Sequence, residues 1–281
     1  MAEAESEAGE TMSFLNSLNS AHSRERYAAV WRGFDRDLTA AGIQSYVAER
    51  RDAGYAPATV NLHLSALKHL ARQTAPASEL AAIDAIKGMP IRGVRMGTWL
   101  SLDQVTDLLS PGPGLQAARD RALLALLTGC ALRRSELADL KFTHLQTLDG
   151  RLVLLDLVGK GRRVRTVPVP SWGILALNSW LEMAGVTEGP VLRRVHRGTV
   201  QAEGLTPDHI HEVVRRAGCR IGVPKLAPHD LRRTFARLAL KGRADLTQIQ
   251  LTLGHSSVAV TDRYLKSTVD LENPACDAIR I

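Results

Sequence analysis

Cysteine is scarce in this 281-residue chain and poorly placed for its usual structural jobs. The three residues, Cys130, Cys219 and Cys276, are odd in number, widely spaced and without a CxxC pair. That argues against a disulfide framework and against a cysteine zinc site. No uninterrupted apolar run reaches the roughly 18 residues a membrane-spanning helix needs. The first ten residues are acidic and lack an apolar core, so they read as neither a secretory signal nor a transit peptide. The expectation is a soluble, cytoplasmic protein with no membrane partner. Aromatics are sparse, with four each of Trp, Tyr and Phe. That argues against an RNA-binding sheet that stacks bases. A Walker loop, a GxSxG elbow, a GxGxxG turn behind a strand and metal-ligand spacings are all missing. So is any repeat at a fixed period.

Arginine is what the chain has in excess, 29 against 7 lysines. A guanidinium can fork two N–H donors onto a phosphate, which suits nucleic acid. The charge is unevenly placed. Residues 1–93 hold 10 basic and 11 acidic side chains, residues 94–281 hold 26 and 18, and the whole chain carries +7. Length alone suggests about two domains.

Residues 1–20 are small, polar and acidic and read as a disordered tail. Helical patterning follows. Ser23 caps a helix expected over 24–39, with Tyr27, Val30, Trp31, Phe34 and Leu38 on one stripe and Gly42 beyond its end. Further helices are expected over 43–51, over 58–73 behind Pro57, and over 78–86. Together they make a helical module over 21–87. Residues 88–98, rich in Gly and basic side chains, read as a linker. The remainder, 99–268, is expected to form a second, mostly helical domain, with a tail at 269–281. Ser101 and Gln104 look like a capping box. Apolar helices are expected over 115–128 and 133–140. The period then changes: 152–158 and 164–169 read as a β-hairpin around Gly159-Lys-Gly-Arg162. Ser171 is expected to cap a helix to 183. Short strands over 190–195 and 198–201 precede helices over 206–222, 230–240 and 246–253, and a short element near Tyr264. The fold class is mainly α with a small β-sheet.

Four pieces carry chemistry: Leu132-Arg-Arg-Ser-Glu-Leu137, Gly159-Lys-Gly161, His229-Asp-Leu-Arg232 and Leu253-Gly-His-Ser256, the last followed nine residues on by Tyr264. Each has an ordinary reading alone. Arg133 and Glu136 could be a surface pair on a helix. Their functional reading has Glu136 orienting the Arg133 guanidinium toward an anion. Lys160 could be a charged turn residue, or a mobile ammonium that protonates a departing alkoxide. His229 and Arg232 lie one helical turn apart behind Pro228, near a helix N-terminus with N–H groups to offer an anion. His255 follows Gly254 at a helix end. Tyr264 alone would be a half-buried core residue. Arg215, Arg216 and Lys225 read equally well as DNA-backbone contacts or as a solvated face.

Together these motifs, in this order and at these separations, resemble the tyrosine recombinases, the phage integrase family. The similarity covers about residues 24–268. It implies an N-terminal core-binding domain and a catalytic domain that form a C-shaped clamp on double-stranded DNA. It implies catalytic roles for Arg133, Lys160, His229, Arg232, His255 and the nucleophile Tyr264. Arg134 competes with Arg133 because the arginine is doubled. Arg233 stands where many members have histidine. With about twenty residues ahead of the first expected helix, an arm-site-binding domain is not expected. The implied reaction is site-specific strand exchange through a 3′-phosphotyrosine and a Holliday junction, carried out by four protomers on two DNA sites. The tail is expected to pack on a neighbouring protomer. No metal and no other cofactor is expected. Rival readings are a type IB topoisomerase, which shares the tyrosine–arginine chemistry, and a non-catalytic DNA-binding accessory protein.

Overall fold

The computed structural model describes residues 18, 21–90, 98–159, 164–255 and 261. The chain divides into two units, Met1–Arg95 and Met96–Ile281. Lys160, Tyr264 and the element expected around it lie outside the described residues, as does most of the expected linker.

In the first unit the described helices are α1 (Ala21–Arg32), α2 (Ala40–Asp52), α3 (Pro57–Thr74) and α4 (Ala77–Ala85). The first helix is shorter than the apolar stripe predicts. It stops at Arg32, and the Gly33 N–H turns back to the Val30 carbonyl. Thr39 instead opens α2, its hydroxyl accepting the Gly42 N–H at 3.1 Å. Gly42 is therefore in the first turn of α2 rather than beyond the end of α1. A Cβ there would lie 2.2 Å from the Asp37 carbonyl oxygen, so the tight approach needs glycine. Val30, Trp31, Ile43, Tyr46, Leu67 and Ile83 are buried together. The buried Trp31 satisfies its indole N–H on the Ala66 carbonyl at 3.2 Å. Beyond α4, Met89 exchanges two hydrogen bonds with the Asn61 side-chain amide.

The second unit opens with α5 (Leu102–Leu108). Its capping box is formed as the sequence predicts: Gln104 N–H to Ser101 Oγ at 3.2 Å and Ser101 N–H to Gln104 Oε1 at 3.0 Å. α6 (Leu115–Gly129) is the central helix, with residues 122–128 fully buried. It packs on α8 (Ser171–Ala184) and α10 (Pro228–Lys241). A Cβ at Gly129 would lie 2.7 Å from both Pro170 and Trp172; the helix must end in glycine there. The helix expected over 133–140 is only α7 (Arg134–Ala138). Between α6 and α7 the chain reverses through Ala131 at φ +50°, a left-handed conformation uncommon for a residue with a Cβ.

β1 (Leu145–Leu148), β2 (Arg151–Val158) and β3 (Val164–Pro168) form an antiparallel sheet in that order. The β2–β3 hairpin agrees with the expected one. β1 was not expected because it is a four-residue edge strand with three exposed positions. Its signal was present: Asp149-Gly150, both at positive φ, is a two-residue hairpin turn between Leu148 and Arg151. After α8, which starts at Ser171 with Pro170 rather than Ser171 in the cap position, β4 (Arg193–His196) and β5 (Thr199–Gly204) pair across Arg197-Gly198. α9 (Pro207–Arg220) is capped by Thr206. α10 starts two residues earlier than the sequence predicts, and α11 (Leu246–Leu253) matches its expected span. The described part is thus mainly helical, with a small antiparallel sheet. None of its helices is long and apolar enough to cross a membrane.

Candidate active site

Three segments meet in the second unit: the α6–α7 turn, the start of α10 and the end of α11. The first presents Arg133. Arg133 is not within a helix, as its spacing from Glu136 suggests, but in extended conformation at the N-cap of α7. The pair still meets, by another route. Glu136 sits at the third position of α7, where its Oε2 accepts the Arg133 backbone N–H at 2.7 Å and its Oε1 accepts Arg133 Nη1 at 2.6 Å. The Arg134 side chain is exposed and lies 3.7 Å from Asp208.

α10 presents the second pair. Pro228 fits the first helical position, and Asp230 accepts the Ala227 N–H at 3.0 Å, which fixes the entry of the helix. His229 and Arg232 follow. Arg232 is 2% exposed. Its Nη1 donates to the Ala131 carbonyl and its Nη2 to the Leu253 carbonyl. The left-handed turn at Ala131 thus aims a carbonyl at this guanidinium. Arg133, His229 and Arg232 line one open cleft of about 400 Å³, with Arg134, Ser135 and His211 on the same wall.

α11 ends at Gly254 in left-handed conformation, φ +58°. The chain then delivers His255, whose N–H returns to the Gln250 carbonyl at 3.2 Å. Its Nδ1 lies 3.0 Å from the Oγ1 of the buried Thr261. A second cleft, of about 160 Å³, is lined by Arg133, Arg165, Gly159, Gly254 and His255. Arg133 borders both clefts, so five sequence-expected residues (Arg133, Glu136, His229, Arg232 and His255) converge.

The electrostatics follow from this crowding. Burial alone would push the Glu136 carboxyl up, but hydrogen bonds from Arg165 and the Arg133 backbone, with both positive charges, bring it down to about 2. His255 is lowered to about 4 by burial first, then by Arg232, Arg133, His229 and Arg165. His229 is lowered by desolvation, Arg233, Arg232 and Arg133, partly opposed by Asp230. Both imidazoles are therefore neutral near pH 7, among fixed guanidinium charges. The site can hold an anion and can accept or donate protons. Among the described residues no cluster of three or more His, Cys, Asp or Glu side chains offers a metal site.

Two contributors were missed from the sequence. Thr261 has no motif to mark it. Arg165 did leave a signal: it sits in β3 in phase with the buried Val167 and Val169. An arginine on the inward face of a strand needs a buried partner, and here that partner is Glu136.

A fold of mostly helices around a small sheet, with arginines and histidines lining two adjoining clefts, defines a domain built to hold an anion. Residues 98–270 match the phage integrase family, and the chain belongs to that family. It is 33% identical over 202 residues to tyrosine recombinase XerC 1 of Ralstonia nicotianae, a match that covers 64% of this chain and 61% of the relative. It is 30% identical over 254 residues to tyrosine recombinase XerC of Pseudomonas putida, covering 87% and 80% respectively. In fold it is similar to a crystal structure of a lambda integrase (75–356) dimer bound to a COC′ core site. There the TM-score is 0.69 and the identity 16%, over 96% of this chain and 99% of that one.

Proposed function

We propose that this chain is a site-specific tyrosine recombinase that cuts and rejoins double-stranded DNA through a covalent 3′-phosphotyrosine. The observation that carries this reading is the convergence of Arg133, Arg232, His229 and His255 at one pair of adjoining clefts, in a member of the phage integrase family. The Tyr264 phenol attacks the scissile phosphorus, and the bond to the 5′-oxygen breaks. A phenol with a pKa of about 10 is mostly protonated at neutral pH, so it needs a proton acceptor. The neutral His229 can serve. Arg133 and Arg232 hold the non-bridging oxygens, where negative charge grows. Fixed donors of this kind contribute about 3–4 kcal/mol each to the transition state. His255 adds a hydrogen bond to the same phosphate. Lys160 protonates the departing 5′-oxygen. The 5′-hydroxyl of a partner strand then reverses the attack and releases the tyrosine, so one phosphodiester replaces another of similar energy.

Arg133, rather than Arg134, takes the first arginine role. It is the one gripped by Glu136, whereas Arg134 leans toward Asp208. The two units close on DNA as a C-shaped clamp, and four protomers assemble on two sites and resolve through a Holliday junction. This work on DNA belongs in the cytoplasm.

The test is a nicked suicide duplex that carries the target site and traps the covalent product. Wild type is expected to become attached through a 3′-phosphate. Tyr264→Phe is expected to bind equally well and attach to none. Attachment by that variant, or none by wild type on any cognate site, would refute the reading.

A further inference from the structure

Arg165 has no part in the mechanism above, yet its guanidinium is fully committed beside the site. Nη1 and Nη2 donate to Glu136 Oε1 and Oε2 at 2.7 and 2.8 Å, and Nε donates to the Thr252 carbonyl at 2.9 Å. The side chain is 9% exposed. Its stem is covered by Gly254, where an added Cβ would lie 3.0 Å from Arg165 Cδ. One planar group therefore holds the carboxylate that grips Arg133. It also holds a carbonyl in the last turn of α11, three residues before His255. Arg232 braces the same two segments in parallel, through Ala131 and Leu253.

We propose that Arg165 is a positioning residue for strand cleavage: it fixes Glu136 so that Arg133 faces the scissile phosphate, and it locks the turn that sets His255 on that phosphate. The inference rests on the recombinase reading. The physical reason is charge balance in a buried place. Glu136 is 2% exposed at its side chain and sits between two guanidiniums. Without Arg165 its charge would be left with one cation, and an underpaired buried charge is strongly unfavourable. The carboxylate would then draw Arg133 onto both of its oxygens, away from DNA. The Thr252 carbonyl would lose its donor at the same time. Lysine cannot substitute, because a point charge cannot span two carboxylate oxygens and a carbonyl. Arg165 is too enclosed to add much to general DNA affinity, so its loss should fall on the chemical step.

The experiment uses the full chain, the nicked suicide duplex, single-turnover cleavage, DNA affinity and urea unfolding. Arg165→Lys is expected to fold, to bind DNA within about threefold of wild type and to cleave about 100-fold more slowly, the scale of a small misplacement of reacting groups. Arg165→Met, Glu136→Gln and the double variant complete a cycle. If Arg165 acts through Glu136, the double variant cleaves no more slowly than Arg165→Met alone. Losses that multiply would overturn the inference, as would an Arg165→Lys rate within about threefold of wild type. Should Arg165→Met fail to fold, Arg165→Lys takes its place in the cycle. Absence of covalent product with wild type would instead remove the recombinase reading beneath it. A cleaving wild type beside an equally fast Arg165→Lys removes this inference alone.

Discussion

His255 and Glu136 are both held below their ordinary values, in different pH windows, and this separates their contributions to stability. The His255 imidazole is lowered from about 6.5 to about 4. Below pH 6.5 the unfolded chain takes up a proton that the native site refuses, so stability falls as pH drops from about 6.5 to 4. Glu136 is lowered from about 4.5 to about 2. Its contribution is complete above pH 4.5 and is lost as pH falls toward 2. Urea midpoints measured against pH should show both limbs, and His255→Gln should shrink only the upper one, to which the lowered His229 also contributes. Arg232 makes a different demand. Two of its donors satisfy the Ala131 and Leu253 carbonyls in a buried place. Arg232→Ala should therefore lose stability as well as cleavage, by about 1–3 kcal/mol for each carbonyl left unpaired. An unchanged urea midpoint with lost cleavage would mean that this side chain serves the chemistry alone.

At the scale of elements, short turns do the positioning and longer helices hold the turns. α6 is buried on nearly every side, and its end at Gly129 feeds the turn that carries Arg133. α11 ends in a left-handed glycine that turns the chain to His255. Gly254→Ala should cost about 1–2 kcal/mol for the left-handed backbone, and its new Cβ would crowd Arg165 Cδ at 3.0 Å. We expect a lower thermal midpoint and slower cleavage, with DNA affinity little changed. Gly129→Ala would overpack against Pro170 and Trp172 at 2.7 Å, costing about 1–3 kcal/mol in urea unfolding. If either variant matches wild type, the close approach described for it is not a constraint.

For the whole molecule, the asymmetry of charge sets how it meets DNA. The basic excess lies in residues 94–281. Neutralising about six to ten phosphates would weaken binding by about 10³–10⁵ between roughly 50 and 200 mM salt. A shallow salt slope would speak against an extended DNA interface. Sedimentation with DNA is expected to give four protomers on two duplexes. A stable one-protomer complex that still relaxes a single supercoiled circle would favour a topoisomerase instead.

Much of the layout is legible in residue order alone. Apolar periodicity, Ser101 with Gln104, Pro57, Pro228 and Gly254 mark element ends through local backbone chemistry, and the β2–β3 hairpin is written in strand-like runs. The motifs that hold Arg133, His229, Arg232 and His255 are legible because each is a short local pattern. Local pattern also misled. The stripe through Phe34 and Leu38 extended the first helix past Arg32, because apolar side chains in a loop can face the same core as those of the helix before it. Long-range packing settles that Arg133 and Glu136 meet through a cap, that Ala131 turns left-handed, and that Arg165 and Arg232 tie α11 to α7 and to the turn before it. Those bonds join residues 21 to 101 positions apart. Their partners are chiefly backbone carbonyls, whose direction depends on the path of the folded chain and not on residue type.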